Sequence, residues 1–396
     1  MLLYRCLLSL FALLVVFRHG RARLRVPQPS GGQGGHIWLH GASNGELSSF
    51  RPVLERLVAA RPKQRWLVTT NSDTGCRMVA EWGLHGVEAH VAPVDLAWVT
   101  RRVMRDWRVT AHLTLEAELW PHRILSCPGP VMVIGARMSE GTARGWGKLP
   151  GLARRILGRL AFVSAQDQGS ADRLRALGAS AQAMGPVVDL KAFYTPPQVT
   201  PVAGLDRSAT WLAASTHAGE EETVLSAQLI AKLEEPDLRL VLAPRHPRRA
   251  DDIRRQIEAA GLSVGQRSRG DDPTVGEVYL ADTMGEMALW YASCGRVFIG
   301  GTLTDRGGHT PYEPAAFGAA LLHGGDVRNF RAAFGRLRAA GASVDITDAE
   351  DLARGLLDLQ SSRRQSVVGA AAQAALHTDV SPDALCQQIL THLPNA

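Results

Sequence analysis

The stretch that decides the fold runs from His36 to Ala60 and reads HIWLHGASNGELSSFRPVLERLVAA. Its first residues form an apolar run typical of a buried strand, and the residues from Gly45 onward have the amphipathic spacing of a helix. The same alternation continues along the chain. Strands that alternate with helices predict a parallel sheet covered by helices on both faces.

The alternation occurs in two series, and 396 residues exceed what one core usually holds. We therefore predict a first domain over residues 36–193 and a second over 209–380. The Pro-rich segment 194–208 predicts a linker, and residues 381–396 form a last helix that could pack on the first domain. The predicted strands lie in HIWLHGAS, RWLVTT, AHLTLEAELW, VMVIGA and AFVSAQ, and then in TWLAAS, LRLVLAP, EVYLAD, GRVFIGG and AALLHG.

The amino terminus is apolar over residues 2–17, LLYRCLLSLFALLVVF, and four arginines follow between residues 18 and 25. The uninterrupted apolar run is shorter than the roughly 20 residues that span a bilayer squarely. No small-residue cleavage site follows it. The pattern favours an uncleaved membrane anchor over residues 1–26, with the arginines at anionic headgroups. A buried first helix of a soluble fold is the alternative.

The net charge of +6 is shared unevenly. Residues 1–200 contain 25 Lys and Arg against 13 Asp and Glu, whereas residues 201–396 contain 19 against 25. A basic first half indicates an anionic partner, such as a membrane surface or a phosphorylated substrate. Nucleic acid is disfavoured because no nucleic-acid-binding motif is present. The five cysteines lie far apart without a CxxC pair, so neither a zinc site nor a disulfide framework is indicated.

Three Ser/Thr-x-x-Glu segments follow apolar strands, at residues 43–46, 283–286 and 310–313. Each has the spacing of a helix capping box, and Pro311 would take the first helical position of the third. Helix starts beyond strand ends are also anion sites in open α/β sheets. Capping and ligand binding are compatible interpretations.

Two further segments contain residues suited to an anionic ligand. Pro244-Arg245-His246-Pro247 ends a strand with a guanidinium and an imidazole, which suit a phosphate or carboxylate, although a surface turn would look the same. Gly300-Gly301 and Gly307-Gly308 would let the backbone approach a ligand closely.

A pair of carboxylates flanks Ala117, in Glu116 and Glu118. Placed at i and i+2 on a strand they would face the same way, and such like charges either raise a pKa or need a cationic partner, for which Arg137 is a candidate. A surface pair at the end of a strand is the alternative. No Asp-x-Asp, HExxH or Walker sequence is present, which disfavours a metal-dependent glycosyltransferase or a P-loop enzyme.

In order along residues 36–330, these segments resemble the Kdo transferases, a family of inverting GT-B glycosyltransferases. Each segment alone is weak evidence, but the ordered set is specific. The matching segments are LHGASNGE, TTNSDTG, APVDLAWV, LEAELWP, GARMSE, SAQDQGSADRLRALGA, AASTHAGEE, LAPRHPRR, LADTMGEM and FIGGTLTDRGGHTPYEPAAFG.

The resemblance implies two Rossmann-like domains whose parallel sheets face a central cleft, beside the membrane-anchor helix. It implies transfer of Kdo, an acidic eight-carbon ketose, from CMP-Kdo to an anionic lipid A precursor, lipid IVA, with inversion. The enzyme would work at the cytoplasmic face of the inner membrane, without metal or other cofactor. CMP leaves as an anion that helix dipoles and Arg245 can stabilise.

By the same resemblance Glu46 is the general base, Glu116 supports the transition state and Arg137 lies on the acceptor side. The first domain would bind the acceptor and the second the CMP-sugar donor. Glu313 would bind the ribose hydroxyls. The residues that match the CMP site are Pro244, Arg245, Met284, Gly285, Glu286, Thr310, Pro311, Tyr312 and Glu313.

The chain departs from the family pattern at three places. Thr310 stands where the family usually has Asn, and Gly141-Thr142 replaces Arg-Ser. Val188 replaces a lysine, so Lys191, three positions later, is the candidate for its catalytic role. Two alternatives remain open: a divergent paralogue that binds a nucleotide or lipid without catalysis, and a GT-B enzyme that transfers another CMP-activated sugar or isomerises a nucleotide sugar.

Overall fold

The computed structural model describes residues 23–24, 27–30 and 35–394, and it divides the chain into two compact units. Unit 1 comprises the chain up to Phe193 and again from Thr378, and unit 2 comprises Tyr194–His377. The predicted anchor, residues 1–26, lies outside the described residues except for Arg23 and Leu24. Among the described residues, no helix combines the length and apolarity needed to span a bilayer.

Unit 1 contains one sheet of six parallel strands in the order β3-β2-β1-β4-β5-β6. The apolar runs form strands because both faces of the sheet are covered; Trp66, Leu67 and Val68 are all fully buried. The order of strands reverses between β1 and β4, where ligands bind in open α/β sheets. The strands are β1 His36–His40, β2 Arg65–Thr70, β3 Val87–Val91, β4 Val109–Leu115, β5 Val131–Ala136 and β6 Leu160–Ala165.

The helices of unit 1 include the last helix of the chain, α15. Leu385 and Ile389 of α15 join the core that Phe50 and Leu54 of α1 enter. Arg56 also pairs with Asp383 at 2.7 Å. The helices are α1 Asn44–Ala60, α2 Asp73–Glu81, α3 Ala97–Asp106, α4 Pro121–Ser126, α5 Glu140–Gly147, α6 Pro150–Leu157, α7 Gln168–Ala176 and α15 Pro382–His392, with short 3₁₀ helices at Ala181–Ala183 and Leu190–Phe193.

Unit 2 contains a parallel sheet of seven strands in the order β13-β12-β11-β7-β8-β10-β9. Here the order reverses between β7 and β11, so the segments that follow these two strands adjoin each other. The strands are β7 Thr210–Thr216, β8 Arg239–Pro244, β9 Val264–Gln266, β10 Val278–Leu280, β11 Arg296–Ile299, β12 Ala320–His323 and β13 Ser343–Asp345.

The segment 194–208 belongs to unit 2 and is fastened to it. The backbone N–H of Val202 donates to Ser293 Oγ at 2.9 Å, and Arg207 donates to the Phe317 carbonyl at 3.0 Å. The helices of unit 2 are α8 Glu220–Lys232, α9 Ala250–Ala259, α10 Met287–Ser293, α11 Tyr312–Ala316, α12 Arg331–Ala339, α13 Ala349–Asp358 and α14 Ser362–Leu376, with 3₁₀ helices at Pro247–Arg249 and Arg267–Arg269.

The prediction of two parallel α/β sheets is confirmed, and each of the ten predicted segments contains a strand. Three strands were not predicted: β3, β9 and β13. All three lie at sheet edges, and the last two have three residues each.

Candidate functional site

Glu46 lies in the first turn of α1, directly after β1. Ser43 caps the helix by accepting from the Glu46 N–H, and its hydroxyl donates to Glu46 Oε1 at 2.9 Å. The Ala42 N–H donates to Glu46 Oε2 at 2.8 Å. This first capping box is therefore confirmed, with Ala42 rather than Ser43 supplying the backbone donor.

The environment of Glu46 nevertheless disfavours its charge. Burial and then the negative charge of Glu116 raise its pKa from 4.5 to about 7, against the lowering effect of the bonds from Ala42 and Ser43. A carboxyl with a pKa near neutrality is suited to accept a proton in catalysis.

Glu116 follows the last residue of β4 and has a left-handed backbone, with φ of +49°. This turn separates it from Glu118, so the prediction that the two carboxylates share a strand face is wrong. Its carboxylate Oε1 lies 2.7 Å from Lys191 Nζ. Arg137, the predicted cationic partner, forms no ion pair with Glu116; its backbone N–H donates to the Glu116 carbonyl at 3.2 Å.

Lys191 reaches this position from the 3₁₀ helix Leu190–Phe193, whose N-terminal side is fixed by Asp189. The Lys191 N–H donates to Asp189 Oδ1 at 3.0 Å. Val188, which replaces the family lysine, is buried in the core and 2% exposed. Lys191, three positions later in the chain, therefore places its ammonium group beside the Glu116 carboxylate.

Glu118 has partners of its own, which the sequence did not predict. Its Oε2 accepts from the Trp120 indole and lies 3.2 Å from Nε2 of the fully buried His40. Burial and the Arg123 guanidinium lower the pKa of His40 to about 4. His40 is thus neutral at pH 7, with its Nδ1 2.9 Å from Thr69 Oγ1 and its Nε2 beside the Glu118 carboxylate. Nothing in the apolar strand sequence around His40 indicates that this histidine contacts Glu118.

Unit 2 carries a second cluster, at the ends of β7, β8 and β11. His217 and His309 lie with Nε2 atoms 2.9 Å apart and ring planes parallel within 2°. Burial, His217 and Arg245 lower the pKa of His309 to about 4, and burial and Arg306 lower the pKa of His217, so both rings are neutral at pH 7. The positive charge of this cluster comes from the exposed guanidinium groups of Arg245 and Arg306. Neither arginine makes an ion pair with any described residue. Neither histidine was predicted.

The glycine-rich segment after β11 is held by a protein carboxylate. Glu220, fully buried at the start of α8, accepts from the backbone N–H groups of Gly301, Thr302 and Leu303 at 2.7–3.1 Å. It also accepts from the His217 N–H at 2.9 Å. These three loop amides therefore donate to Glu220, while close approach of a ligand to the glycine backbone stays a prediction.

The second predicted capping box is wrong. Helix α10 begins at Met287, so Glu286 is its N-cap residue and makes no cap hydrogen bond. Arg267 instead binds the Glu286 carboxylate through two nitrogens, the closest contact being 2.7 Å, and Thr283 donates to it as well. The bond from Arg267 lowers the pKa of Glu286. Met284 and Gly285 lie in the exposed turn before it.

The third predicted box is also wrong, since α11 begins at Tyr312 with Pro311 as its N-cap residue. Thr310 Oγ1 accepts from the Tyr312 N–H at 3.3 Å. Glu313 is largely buried, which raises its pKa, and its side chain has no hydrogen-bond or ion-pair partner within the described part of the chain. A buried carboxyl without a protein partner is suited to accept from the hydroxyls of a ligand.

No group of three or more His, Cys, Asp or Glu side chains that could hold a metal ion occurs within residues 23–24, 27–30 and 35–394. An exposed cation cluster and an unpartnered carboxyl in unit 2 suit a ligand that carries both phosphate and hydroxyl groups. The carboxylates of unit 1 suit proton abstraction from a hydroxyl.

Comparisons with known proteins agree with this chemistry. The family model for 3-deoxy-D-manno-octulosonic-acid transferase (kdotransferase) matches residues 18–193. The chain is 30% identical to the 3-deoxy-D-manno-octulosonic acid transferase of Bordetella pertussis over 373 residues, 89% of this chain and 86% of that protein. Identity to the transferase of the same name from Haemophilus influenzae is 28% over 337 residues, 82% and 78% of the two chains.

The fold has a wider likeness. UDP-GlcNAc 2-epimerase from Neisseria meningitidis, solved bound to UDP-GlcNAc, matches with a TM-score of 0.62 at 12% identity, over 90% of this chain and 100% of that one. The two parallel-sheet α/β units thus resemble those of GT-B glycosyltransferases.

Proposed function

Since the chain belongs to the 3-deoxy-D-manno-octulosonic acid transferase family and is a glycosyltransferase, we propose that it transfers Kdo from CMP-Kdo to an anionic lipid A precursor, lipid IVA, with inversion. The observation that carries the proposal is the raised pKa of Glu46, about 7, beside Glu116 and its partner Lys191. A site that only binds a ligand has no need of a carboxyl that is titrated near neutrality.

In this mechanism Glu46 takes the proton of the acceptor hydroxyl while the hydroxyl oxygen forms a bond to the anomeric carbon of Kdo. The bond from that carbon to the phosphate oxygen breaks, and CMP leaves with its electron pair. Lys191 balances the charge of Glu116, so that Glu46 can ionise without facing an unpaired carboxylate. Arg137, half-buried after β5, is on the same edge of the sheet and is proposed to bind the acceptor.

We assign the donor to the cation cluster of unit 2. Arg245 would bind the phosphate, and Glu313 would accept from the ribose hydroxyls. Thr216 Oγ1 at the end of β7 is buried and has no hydrogen-bond partner among the described residues, which supports a ligand at this edge. The Glu286 carboxylate is paired with Arg267. We therefore propose that Glu286 positions the exposed turn of Met284 and Gly285 and does not contact the nucleotide itself.

The proposed location is the cytoplasmic face of the inner membrane. On α3 the half-exposed Trp98 stands at helical spacing with three exposed arginines, Arg101, Arg102 and Arg105. Indole and guanidinium groups on one helix face suit an anionic lipid surface. The Arg23 carbonyl accepts from the Val94 N–H at 3.0 Å, so the last part of the predicted anchor contacts the chain just before this helix.

Release of CMP from CMP-Kdo, measured with and without lipid IVA, tests the proposal. We expect release that depends on lipid IVA and yields a Kdo-bearing lipid. Binding of CMP-Kdo without turnover would favour the non-catalytic paralogue, and turnover of a different CMP-sugar only would favour the other GT-B alternative.

A further inference from the structure

An apolar groove lies on the surface of unit 1, with the Glu118 carboxylate in its lining. Its volume is about 460 Å³, which is within the range of sites for small ligands. Almost all of its lining surface is apolar. The lining side chains come from the turn after β4 and from α4, α5 and α6, and include Leu119, Trp120, Trp146, Leu149 and Leu152.

The groove adjoins the proposed acceptor site at Glu118, whose charge contributes to the raised pKa of Glu46. Glu118 lines it, and the same carboxylate is held by His40 and by the Trp120 indole, which also lines it. Glu116, the partner of Lys191, lies two residues earlier in the chain. A molecule in the groove would therefore begin within a short distance of the groups proposed to activate the acceptor hydroxyl.

Helix α5 forms one wall of the groove. Helix α5 has no buried residue, although Trp146 packs partly against the core that α4 and α6 share. Two exposed cations lie beside lining residues in the sequence: Arg144 precedes Gly145, and Lys148 precedes Leu149. An apolar channel bordered by cations fits an amphiphile with an anionic head and a hydrocarbon tail.

We propose that this groove holds one fatty acyl chain of the acceptor glycolipid, and that Arg144 and Lys148 face its anionic head. The inference rests on the proposed function and extends it from the reacting hydroxyl to the recognition of acylation. Each methylene group withdrawn from water contributes roughly fourfold to affinity, so an enzyme with this groove prefers an acylated acceptor to the same sugar without its chains.

The chain offers a matched pair of substitutions for the test. A Cβ built at Gly145 or at Gly147 would meet no heavy atom within 4 Å outside the helix itself, and both glycines lie in α5. Only Gly145 lines the groove. Gly145→Phe therefore places a bulky side chain at the groove without a clash at its Cβ, and Gly147→Phe adds the same side chain elsewhere on the helix.

The measurement is the ratio of kcat/KM for lipid IVA to kcat/KM for its deacylated sugar bisphosphate. We expect a strong preference for lipid IVA in the wild type, a loss of at least tenfold of that preference in Gly145→Phe, and no change in Gly147→Phe. A wild-type enzyme without the preference, or an unchanged preference in Gly145→Phe, overturns the proposal.

Photolabelling decides the question independently of turnover. A lipid IVA analogue with a diazirine at the end of one acyl chain should label peptides that contain Trp120, Trp146 or Leu149, and Gly145→Phe should abolish that labelling. Labelling at other segments refutes the groove. If CMP-Kdo is not turned over with any acceptor, the proposed function fails, and the labelling alone then tests the site.

Discussion

Glu46→Gln separates a general base from a helix cap most sharply. The amide preserves the size of the side chain, its oxygen can accept from the Ala42 N–H and its NH2 group can donate to the Ser43 hydroxyl; Gln also serves at this position of a capping box. It cannot accept the proton. General-base catalysis contributes about 10²–10⁴-fold, so we expect transfer to fall by that factor while affinity for CMP-Kdo is retained.

The raised pKa adds two effects with definite signs. Wild-type kcat/KM should fall about tenfold per pH unit below pH ~7, where Glu46 becomes protonated, and Glu46→Gln should lose this acidic limb. The native state holds this proton more tightly than the unfolded chain, so the carboxyl costs stability as the pH rises from 4.5 to about 7. The full shift corresponds to about 3 kcal/mol, and solvent exposure of the half-buried group reduces it. Glu46→Gln should then raise the free energy of unfolding at pH 8 by about 1–2 kcal/mol.

The assay is transfer and thermal unfolding between pH 5.5 and 8.5. Glu55→Gln is the matched control, because Glu55 lies on the same helix and makes only an exposed i,i+4 pair with Arg51. It should keep the activity, the acidic limb and the melting temperature. Near-normal turnover of Glu46→Gln would refute the catalytic role. A lowered melting temperature at pH 8 beside intact turnover would show that Glu46 acts only as part of the helix cap.

Four further outcomes are expected. Lys191→Ala should shift the acidic limb of the pH profile to higher pH, because the charge of Glu116 then acts on Glu46 without its cation. Lys191→Arg should return the limb close to its wild-type position. A limb that stays in place in Lys191→Ala would count against the Lys191–Glu116 pair. Glu313→Ala should weaken CMP binding by calorimetry, by about 1–3 kcal/mol, whereas unchanged affinity would argue that Glu313 does not meet the nucleotide. Deleting residues 1–22 should move a folded, CMP-binding protein into the soluble fraction, and retention in membranes after a high-salt wash would place the anchor elsewhere. Chelator should leave transfer unchanged, and a strict metal requirement would contradict the proposed mechanism.

The sequence predicted those features that local patterning controls. The runs RWLVTT and VMVIGA coincide with β2 and β5 because fully buried strands need apolar residues on both faces. β3 was missed because all five residues of Val87–Val91 are only partly buried, and the run VEAHV is mixed in character. The short β9 and β13 contribute too few residues for any periodicity.

The capping boxes show where local motifs stop being sufficient. The spacing at residues 43–46 and at 283–286 is the same, yet only the first is a cap. Glu286 is drawn to Arg267, 19 residues earlier in the chain, and α10 starts after it. The sequence spacing cannot reveal such a partner. The same holds for Glu220, whose four backbone donors come from two separate segments.

The position of Lys191 bears on the choice between an enzyme and a paralogue that has lost catalysis. The replacement of the family lysine by Val188 would by itself favour loss of catalysis. Val188 is buried in the core, and the 3₁₀ helix Leu190–Phe193 that follows it brings Lys191 Nζ to 2.7 Å from Glu116 Oε1. A chain under no selection for catalysis would have little reason to keep an ammonium group there, since a half-buried ion pair contributes little net stability. Together with a neighbouring carboxyl titrated near pH 7, the relocated cation favours the transferase.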